Sequence, residues 1–331
     1  TVTIMLDRTG YEVTTYRIDG EYEDGRHPKQ VEFTSDLLED LRRRDFTINA
    51  MAYSHETGIV DAFDGMADLK AHRIRCVGNA LERFTEDALR ILRAIRFSAQ
   101  LGFSIEESTW EAIKVIAPNL IHVSKERIQV ELTKLLLSNH PDEIRKVFDR
   151  ELDTRICADF PKIDPERIAI DPGLPKNKHM RWAALLRHRT PEEAVAILRQ
   201  LKLDNDTINR VKTLVQWWKR PVGADQTQIR RTMSQMAPEL YDDLLVLKTS
   251  VGELELQAEG CVEDLDWVKT QSREIRQRGD CVSLKELAVT GADLIQSGMK
   301  PGKELGETLK RLLELVLEHP EWNTKEILKK V

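Results

Sequence analysis

The stretch Glu86–Phe97, EDALRILRAIRF, sets an acidic pair ahead of Arg90, Arg93 and Arg96, which follow one another at three-residue steps. A straight helix turns about 100° per residue, so Asp87 and Arg93 fall about 60° to either side of Arg90, and Arg96 about 60° further round. The pattern predicts one helix, capped by Thr85, with Glu86 and Asp87 at the positive end of its dipole. Leu89, Leu92 and Ala99 share another stripe and can bury.

A carboxylate beside a guanidinium has a specific use. Cytosine and adenine both show an exocyclic amino group next to a ring-nitrogen acceptor. Asp accepts from the first and Arg donates to the second. Uracil and guanine present the reverse order, which would leave buried polar groups unpaired at about 1–3 kcal/mol each. Asp87 with Arg90 could therefore take C and A and refuse U and G, while Arg93 and Arg96 hold phosphate oxygens. The plainer reading is an exposed i, i+3 salt bridge contributing about 0.2–0.5 kcal/mol. The helix alone leaves both open.

With 331 residues the chain has room for two or more domains and a sizeable core. Hydrophobic content of 41% with 32% charged residues describes a soluble, helix-rich protein. The net charge of -6 excludes a surface that is basic throughout, but a local basic stripe suffices for nucleic acid. Cys76, Cys157, Cys261 and Cys281 lie far apart without metal-ligand spacing, which points to free thiols in a reducing compartment. No apolar run approaches the roughly 20 residues of a membrane span, and no signal peptide is visible. The expectation is a cytoplasmic protein with no membrane partner.

Val2, Ile4 and Leu6 alternate, DRTG supplies a turn, and Tyr11, Val13 and Thr15 alternate again: a hairpin. IDGEYEDGRHPKQ (18–30) reads as a mobile loop. TSDLLEDLRRRDFTINAMAY (34–53) carries a helical pattern with Thr34 or Ser35 as cap. IVDAFDGMADLKAHRIRCVG (59–78) reads as strand, turn at Asp64-Gly65, short helix and strand. From about Thr85 onward the periodicity is almost wholly helical, with a Pro-rich joint at 161–175. The fold class is α+β: a small mixed piece followed by a long all-α body.

Four segments occur in order at close spacing: EDLRRRDFTINAMAY (39–53), DAFDGMADL (61–69), EDALRILRAIRF (86–97) and SKERIQVELTKLL (124–136). Together they resemble the bacterial class II tRNA nucleotidyltransferases, the CCA-adding enzymes of the polymerase-β-like superfamily. The resemblance extends to the tail, LAVTGADLIQSGMKPGKELGETLKRLLELVLEHPEWNTKEIL (287–328). It implies a nucleotidyltransferase head (1–80), a neck carrying the base-reading helix (81–150), a helical body (151–265) and a helical tail that contacts tRNA (266–331). Under it, Arg44 and Asp45 bind ribose and nucleotide with Asn49 in support. Asp64, Gly65 and Asp68 form a hinge, Asp87 and Arg90 read the base, and Arg93 and Arg96 hold further nucleotide atoms. Arg127 and Glu131 brace the reading helix. The loop RIDGEYEDGRHP (17–28) resembles the family's flexible element, which favours a complete CCA-adding enzyme over a CC-only one.

The family's chemistry needs a strand-borne D-x-D after a Gly-rich segment, because two carboxylates two apart on a strand share one face and can hold Mg²⁺. Neither segment precedes the ribose motif here. Glu12 is a weak candidate for an accessory metal carboxylate, and its simpler reading is an exposed strand residue. The chain opens directly into a strand pattern, so the expectation is that the first strands of the head are absent and that the chain alone is inactive. Affinity for tRNA would come from phosphate contacts, with Lys300, Lys303 and Lys310 in the glycine-rich stretch GMKPGKELGETLKR (298–311) as candidates. KNKHMRW (176–182) and WWKRP (217–221) are basic-aromatic clusters in which Trp182 and one of Trp217 or Trp218 should bury. The activity implied is addition of C, C and A to tRNA from CTP and ATP by a monomer. A poly(A) polymerase and a non-catalytic RNA-binding module are the alternatives.

Overall fold

The computed structural model describes residues 1–20, 31–149, 152–157, 160, 168–252, 255–256 and 263–330. Its first element is the hairpin that the alternation predicts: β1 (Val2–Leu6) pairs antiparallel with β2 (Thr9–Val13), from Val2↔Val13 to Leu6↔Thr9. The connecting Asp7 and Arg8 both take left-handed backbone, with φ of 47° and 64°. Positive φ at both central positions is the turn geometry that matches strand twist. Every residue of both strands is exposed, Glu12 included, so the alternation here marks a ribbon with no buried face. β3 (Arg17–Asp19) pairs antiparallel with β4 (Val31–Phe33). The loop read between them lies, over 21–30, outside the described residues.

The segment 34–53 departs from one continuous helix. α1 (Leu37–Arg42) is capped by Asp36, whose carboxylate accepts from the Leu38 amide at 2.8 Å. Thr34, expected to cap, instead accepts from the Asp36 amide at 3.0 Å. Beyond Arg43 the backbone finds better partners across space. The Thr47 amide donates to the Arg75 carbonyl at 2.9 Å, and the Val77 amide to the Asp45 carbonyl at 3.1 Å. A short 3₁₀ turn (Thr47–Asn49) and β5 (Met51–Ser54) follow, and β5 pairs with β6 (Gly58–Asp61).

The Asp64-Gly65 turn forms as expected. Asp64 sits at φ 61°, and the Asp61 carboxylate accepts from the Gly65 and Met66 amides at 2.7 and 2.8 Å, opening α2 (Gly65–Lys70). Gly65 is required by close approach, since a Cβ there would lie 2.4 Å from the Thr47 carbonyl oxygen. Asp68, buried, accepts from the Thr47 hydroxyl and from Arg75, both at 2.7 Å. β7 (Arg73–Ile74) then runs parallel to β8 (Ser104–Ile105).

Two compact units make up the chain: Thr1–Leu185 with Glu192–Asn209, and Leu186–Pro191 with Arg210–Val331. In the first, α3 (Ala80–Glu86), α4 (Leu89–Leu101), α5 (Glu107–Ile116) and α6 (Lys125–Leu136) pack with α4 against α6 and α3 against α5, and α4 also meets β7 and β8. Leu89, Leu92 and Ala99 bury as expected. So do Ile91, Ala94 and Ile95, which leaves α4 only a narrow open stripe through Arg90, Arg93 and Phe97. Trp182 is fully buried, and its indole N–H donates to the Thr133 hydroxyl at 3.1 Å.

The second unit is helical throughout its described residues, with its longest helices at Pro238–Val251, Leu265–Arg278 and Lys303–Glu318. Trp218 is buried there and Trp217 half-buried. A cluster of Leu287, Val289, Leu294, Leu312, Val316 and Leu328 anchors its C-terminal part. Cys76, Cys157 and Cys281 are buried thiols, and Cys261 lies outside the described residues. Burial pushes the Cys76 thiol up to about 12, so it is inert at neutral pH. Among the described residues no helix is long and apolar enough to cross a membrane.

Candidate functional site

EDALRILRAIRF does not form one helix. α3 ends at Glu86, Asp87 takes extended backbone (φ −150°, ψ 101°), and α4 begins at Leu89. Thr85 is therefore no cap; its hydroxyl donates back to the Leu81 carbonyl at 2.7 Å. Asp87 takes the capping role, accepting from the Leu89 amide at 3.1 Å. Its other carboxylate oxygen accepts from Arg127 on α6 at 2.6 Å. The break turns the Asp87 side chain toward a cavity of about 550 Å³, lined by Arg43, Arg44, Asp45, Asn49, Asp87, Leu89, Arg90, Arg93, Phe97 and Arg127.

The cavity gathers Arg44, Asp45, Asn49, Asp87, Arg90, Arg93 and Arg127 from the residues singled out in the sequence. Arg90 donates to Glu86 at 2.6 Å, to the Arg83 carbonyl at 3.2 Å and to the Arg43 carbonyl at 3.1 Å. Arg93 closes on the Asp45 carboxylate at 2.6–2.7 Å. The other Asp45 oxygen accepts from the Phe46 amide at 2.9 Å and the Asn49 amide group at 3.2 Å. Five arginines stand against Asp45 and Asp87 in the lining and Asp40 and Glu86 behind it, which leaves one net positive charge. That excess favours an anion.

Arg96 departs from expectation. Three-residue steps lag the helix by about 60° each, so by the second step Arg96 stands about 120° from Arg90. It points into the packed interior, 7% exposed, and is absent from the cavity lining. There its Nε lies 2.6 Å from Glu131 Oε2, although the N–H is not aimed at the oxygen and neither atom counts as hydrogen-bonded. It donates to Gln100 at 2.8 Å, and its guanidinium lies 3.8 Å from the centre of the Phe97 ring. Burial lowers its pKa against the opposing pull of Glu131. Glu131, itself buried, reaches Arg93 only at 3.9 Å.

Sequence reasoning passed over Asp40 and Glu86, which hold the cavity arginines from behind. Their spacings to Arg43, Arg44 and Arg90 are three, four and four residues, the signal that could have found them. It also passed over Phe97, which offers an aromatic edge to the cavity. The basic cluster 176–182 is consumed internally. Arg181 is fully buried and donates to the carbonyls of Asp171, Pro172, Leu174 and Pro175, while Lys178 pairs with Asp204 at 2.6 Å. In the tail, Lys300, Lys303 and Lys310 are all exposed. Lys303 lies 3.6 Å from Glu307. Gly298 and Gly302 take φ of 102° and 153°, conformations that favour glycine.

The family description "Poly A polymerase head domain" matches residues 1–75, that of an RNA and SrmB-binding site of polymerase A matches 102–150, and that of tRNA nucleotidyltransferase domain 2 matches 175–331. The CCA-adding enzyme of Lacticaseibacillus paracasei is 37% identical over 326 residues, covering 96% of this chain and 76% of that protein. The chain belongs to the CCA-adding enzyme family. The family member of Latilactobacillus sakei is also 37% identical, over all of this chain and 81% of its own length. Among solved structures, the Bacillus stearothermophilus CCA-adding enzyme in complex with CTP is 27% identical with a TM-score of 0.78, covering 96% of this chain and 76% of that one. A Thermotoga maritima CCA-adding enzyme complexed with tRNA shares the fold at 22% identity and a TM-score of 0.57, over 89% of this chain and 73% of that one. The expected α+β head followed by helices is the fold of this family.

The metal that the family resemblance implies finds no donor set among the described residues, where no group of three or more His, Cys, Asp and Glu is placed to hold an ion. Asp45 and Asp87 are both engaged by arginines. Two literal D-x-D strings occur later, at Asp204–Asp206 and Asp264–Asp266, and both open helices. Asp204 accepts from the Thr207 amide, and Asp264 from the Asp266 and Trp267 amides.

Proposed function

We infer that this protein adds C, C and A to the 3′ end of tRNA from CTP and ATP, choosing the base with protein side chains. The observation that carries the reading is the convergence of Asp87 and Arg90 on one cationic cavity with spare hydrogen-bonding capacity. Each Asp87 oxygen accepts one hydrogen bond in the structure and has a further lone pair. Arg90 commits three of its five N–H groups, which leaves two for a ring nitrogen or carbonyl. C and A fit that donor-acceptor order. Arg44, Asp45 and Arg93 are the candidates for sugar and phosphates, with Asn49 steadying Asp45. Arg127 steadies Asp87, and Glu131 steadies the base of α4 through Arg96. Lys300, Lys303 and Lys310 are proposed to meet tRNA phosphates.

The head, neck, body and tail divisions at 80, 150 and 265 belong to this proposal. So does Mg²⁺ as the ion of the transfer step, for which the described residues supply no ligands. The test is competition binding of CTP, ATP, UTP and GTP. The wild-type chain should prefer CTP and ATP, and Asp87→Ala should lose about 5- to 150-fold of that preference, the range set by about 1–3 kcal/mol for an unpaired polar group. Equal wild-type affinity for all four nucleotides would overturn the base-reading role.

A further inference from the structure

Asp40 lies on α1, 1% exposed, and is not among the residues that line the cavity. Its carboxylate is nonetheless the junction of three segments. Oδ1 accepts from the Arg17 amide on β3 at 3.2 Å, and from Arg43 Nε and a terminal Arg43 nitrogen at 2.9 and 2.6 Å. Oδ2 accepts from Arg44 at 3.2 Å. One buried anion thus grips two consecutive arginines, both of which line the cavity. Adjacent guanidinium groups without it would repel each other and splay.

The two arginines are held differently. Arg43 is only 21% exposed and makes a two-pronged contact, whereas Arg44 is 40% exposed and keeps a single bond to Asp40. Arg44 Nε is buried with no hydrogen-bond partner. Arg44 is therefore anchored at one nitrogen while the rest of its donor fork is uncommitted. An arginine fork serves phosphate or carboxylate oxygens in pairs. A fork already fixed at one end forgoes most of the side-chain ordering that binding would otherwise cost.

We propose that Asp40 is a positioning residue for nucleotide binding: it presents Arg44 to the phosphates of the incoming nucleoside triphosphate and holds Arg43 clear of them. The inference rests on the nucleotide-site reading above. Asp40 bonds Arg17, Arg43 and Arg44 and neither Asp87 nor Arg90, so it should govern affinity without governing base choice. Its low pKa fits the role. Burial alone would raise it, but the Arg43 guanidinium, the Arg17 amide and Arg44 hold it below its ordinary value.

Asp40→Asn separates this role from simple support. Asn keeps one oxygen for the Arg17 amide and Arg43, so the tie between β3 and α1 survives. Its NH₂ then faces Arg44, donor against donor. CTP and ATP binding by the full chain should both weaken about tenfold, the loss expected for one well-placed charge-assisted hydrogen bond. The ratio of CTP and ATP affinity to UTP and GTP affinity should stay at the wild-type value, and Asp40→Glu should recover part of the loss. Wild-type affinity in Asp40→Asn, or a collapse of base preference along with affinity, would overturn the positioning role while leaving the site assignment standing. Absence of CTP and ATP binding by the wild-type chain would overturn both.

Discussion

The Arg96–Glu131 pair gives the sharpest test of how the arginine row is divided. Both side chains are almost wholly buried, at 8% and 5% exposure, and their charges meet at 2.6 Å. Removing one partner from such a pair strands the other charge, at about 3–5 kcal/mol, whereas replacing both with apolar groups of similar volume is often neutral. Arg96→Met should fall near the low end, about 3 kcal/mol, because Arg93 stands 3.9 Å from Glu131 and takes up part of its charge. For a unit of about 200 residues, where 1 kcal/mol shifts Tm by about 2–4 °C, the drop is about 6–12 °C. Glu131→Leu should cost at least as much, since among the described residues no second carboxylate forms an ion pair with Arg96. The double variant should return to within about 1 kcal/mol of wild type. Thermal and urea unfolding of the four proteins complete the cycle. CTP affinity of folded Arg96→Met should stay within about twofold of wild type, since Arg96 does not line the cavity. Additive single effects, or a nucleotide-binding defect without loss of stability, would refute the buried-pair account and restore Arg96 to the ligand.

Two further outcomes follow from the geometry. Gly65→Ala should destabilise by about 1–3 kcal/mol, the usual cost of overpacking, because the new Cβ would meet the Thr47 carbonyl at 2.4 Å and Met51 Sδ at 2.9 Å. A wild-type urea midpoint would show that the 3₁₀ turn can yield. Glu255 is a pH-sensitive carboxylate of the second unit: burial opposes its ionisation, but His188 and Arg187 together bring its pKa down to about 2. A folded-state pKa below the unfolded value of about 4.3 contributes stability above that pH and loses it as pH falls through the folded value. Glu255→Gln should therefore melt below wild type at pH 7, and the gap should narrow between about pH 4.3 and 2. A gap independent of pH would mean that the hydrogen bonds, and not the charge, carry the contact.

What was legible in the sequence was local or periodic. DRTG between alternating segments marks a hairpin turn, although Thr9 and Gly10 join β2 and only Asp7-Arg8 turn, and Asp64-Gly65 marks a turn and helix start, because their causes lie within a few residues. The break at Asp87 was not legible. Nothing in EDALRIL forbids a continuous helix, and the carboxylate's second partner, Arg127, lies 40 residues away. The end of α1 has the same origin, since 45–47 turns aside to pair with 75–77. Arg181 illustrates a third kind of miss: its partners are backbone carbonyls, which leave no mark in the side-chain pattern. Most of the cavity lining was among the residues that the motifs name, but which arginine lines the cavity and which packs into the core depended on a helical lag that accumulates with each step.

Five arginines around one cavity would repel each other if left alone. Here each is met by a carboxylate: Asp40 for Arg43 and Arg44, Glu86 for Arg90, Asp45 for Arg93 and Asp87 for Arg127. Neutralising charge is only part of what these pairs do. A base is refused by the penalty of facing donor with donor, and that penalty is collected only if the protein group cannot swing away or present another atom. Asp87 is fixed through both oxygens and Arg90 through both terminal nitrogens, so each can offer only its remaining atoms in a set direction. On the proposed base-reading role, the capacity to choose C and A would depend on Arg127 and Glu86, which hold Asp87 and Arg90 in place. Selectivity in such a site is a property of the pairs behind the readers as much as of the readers themselves.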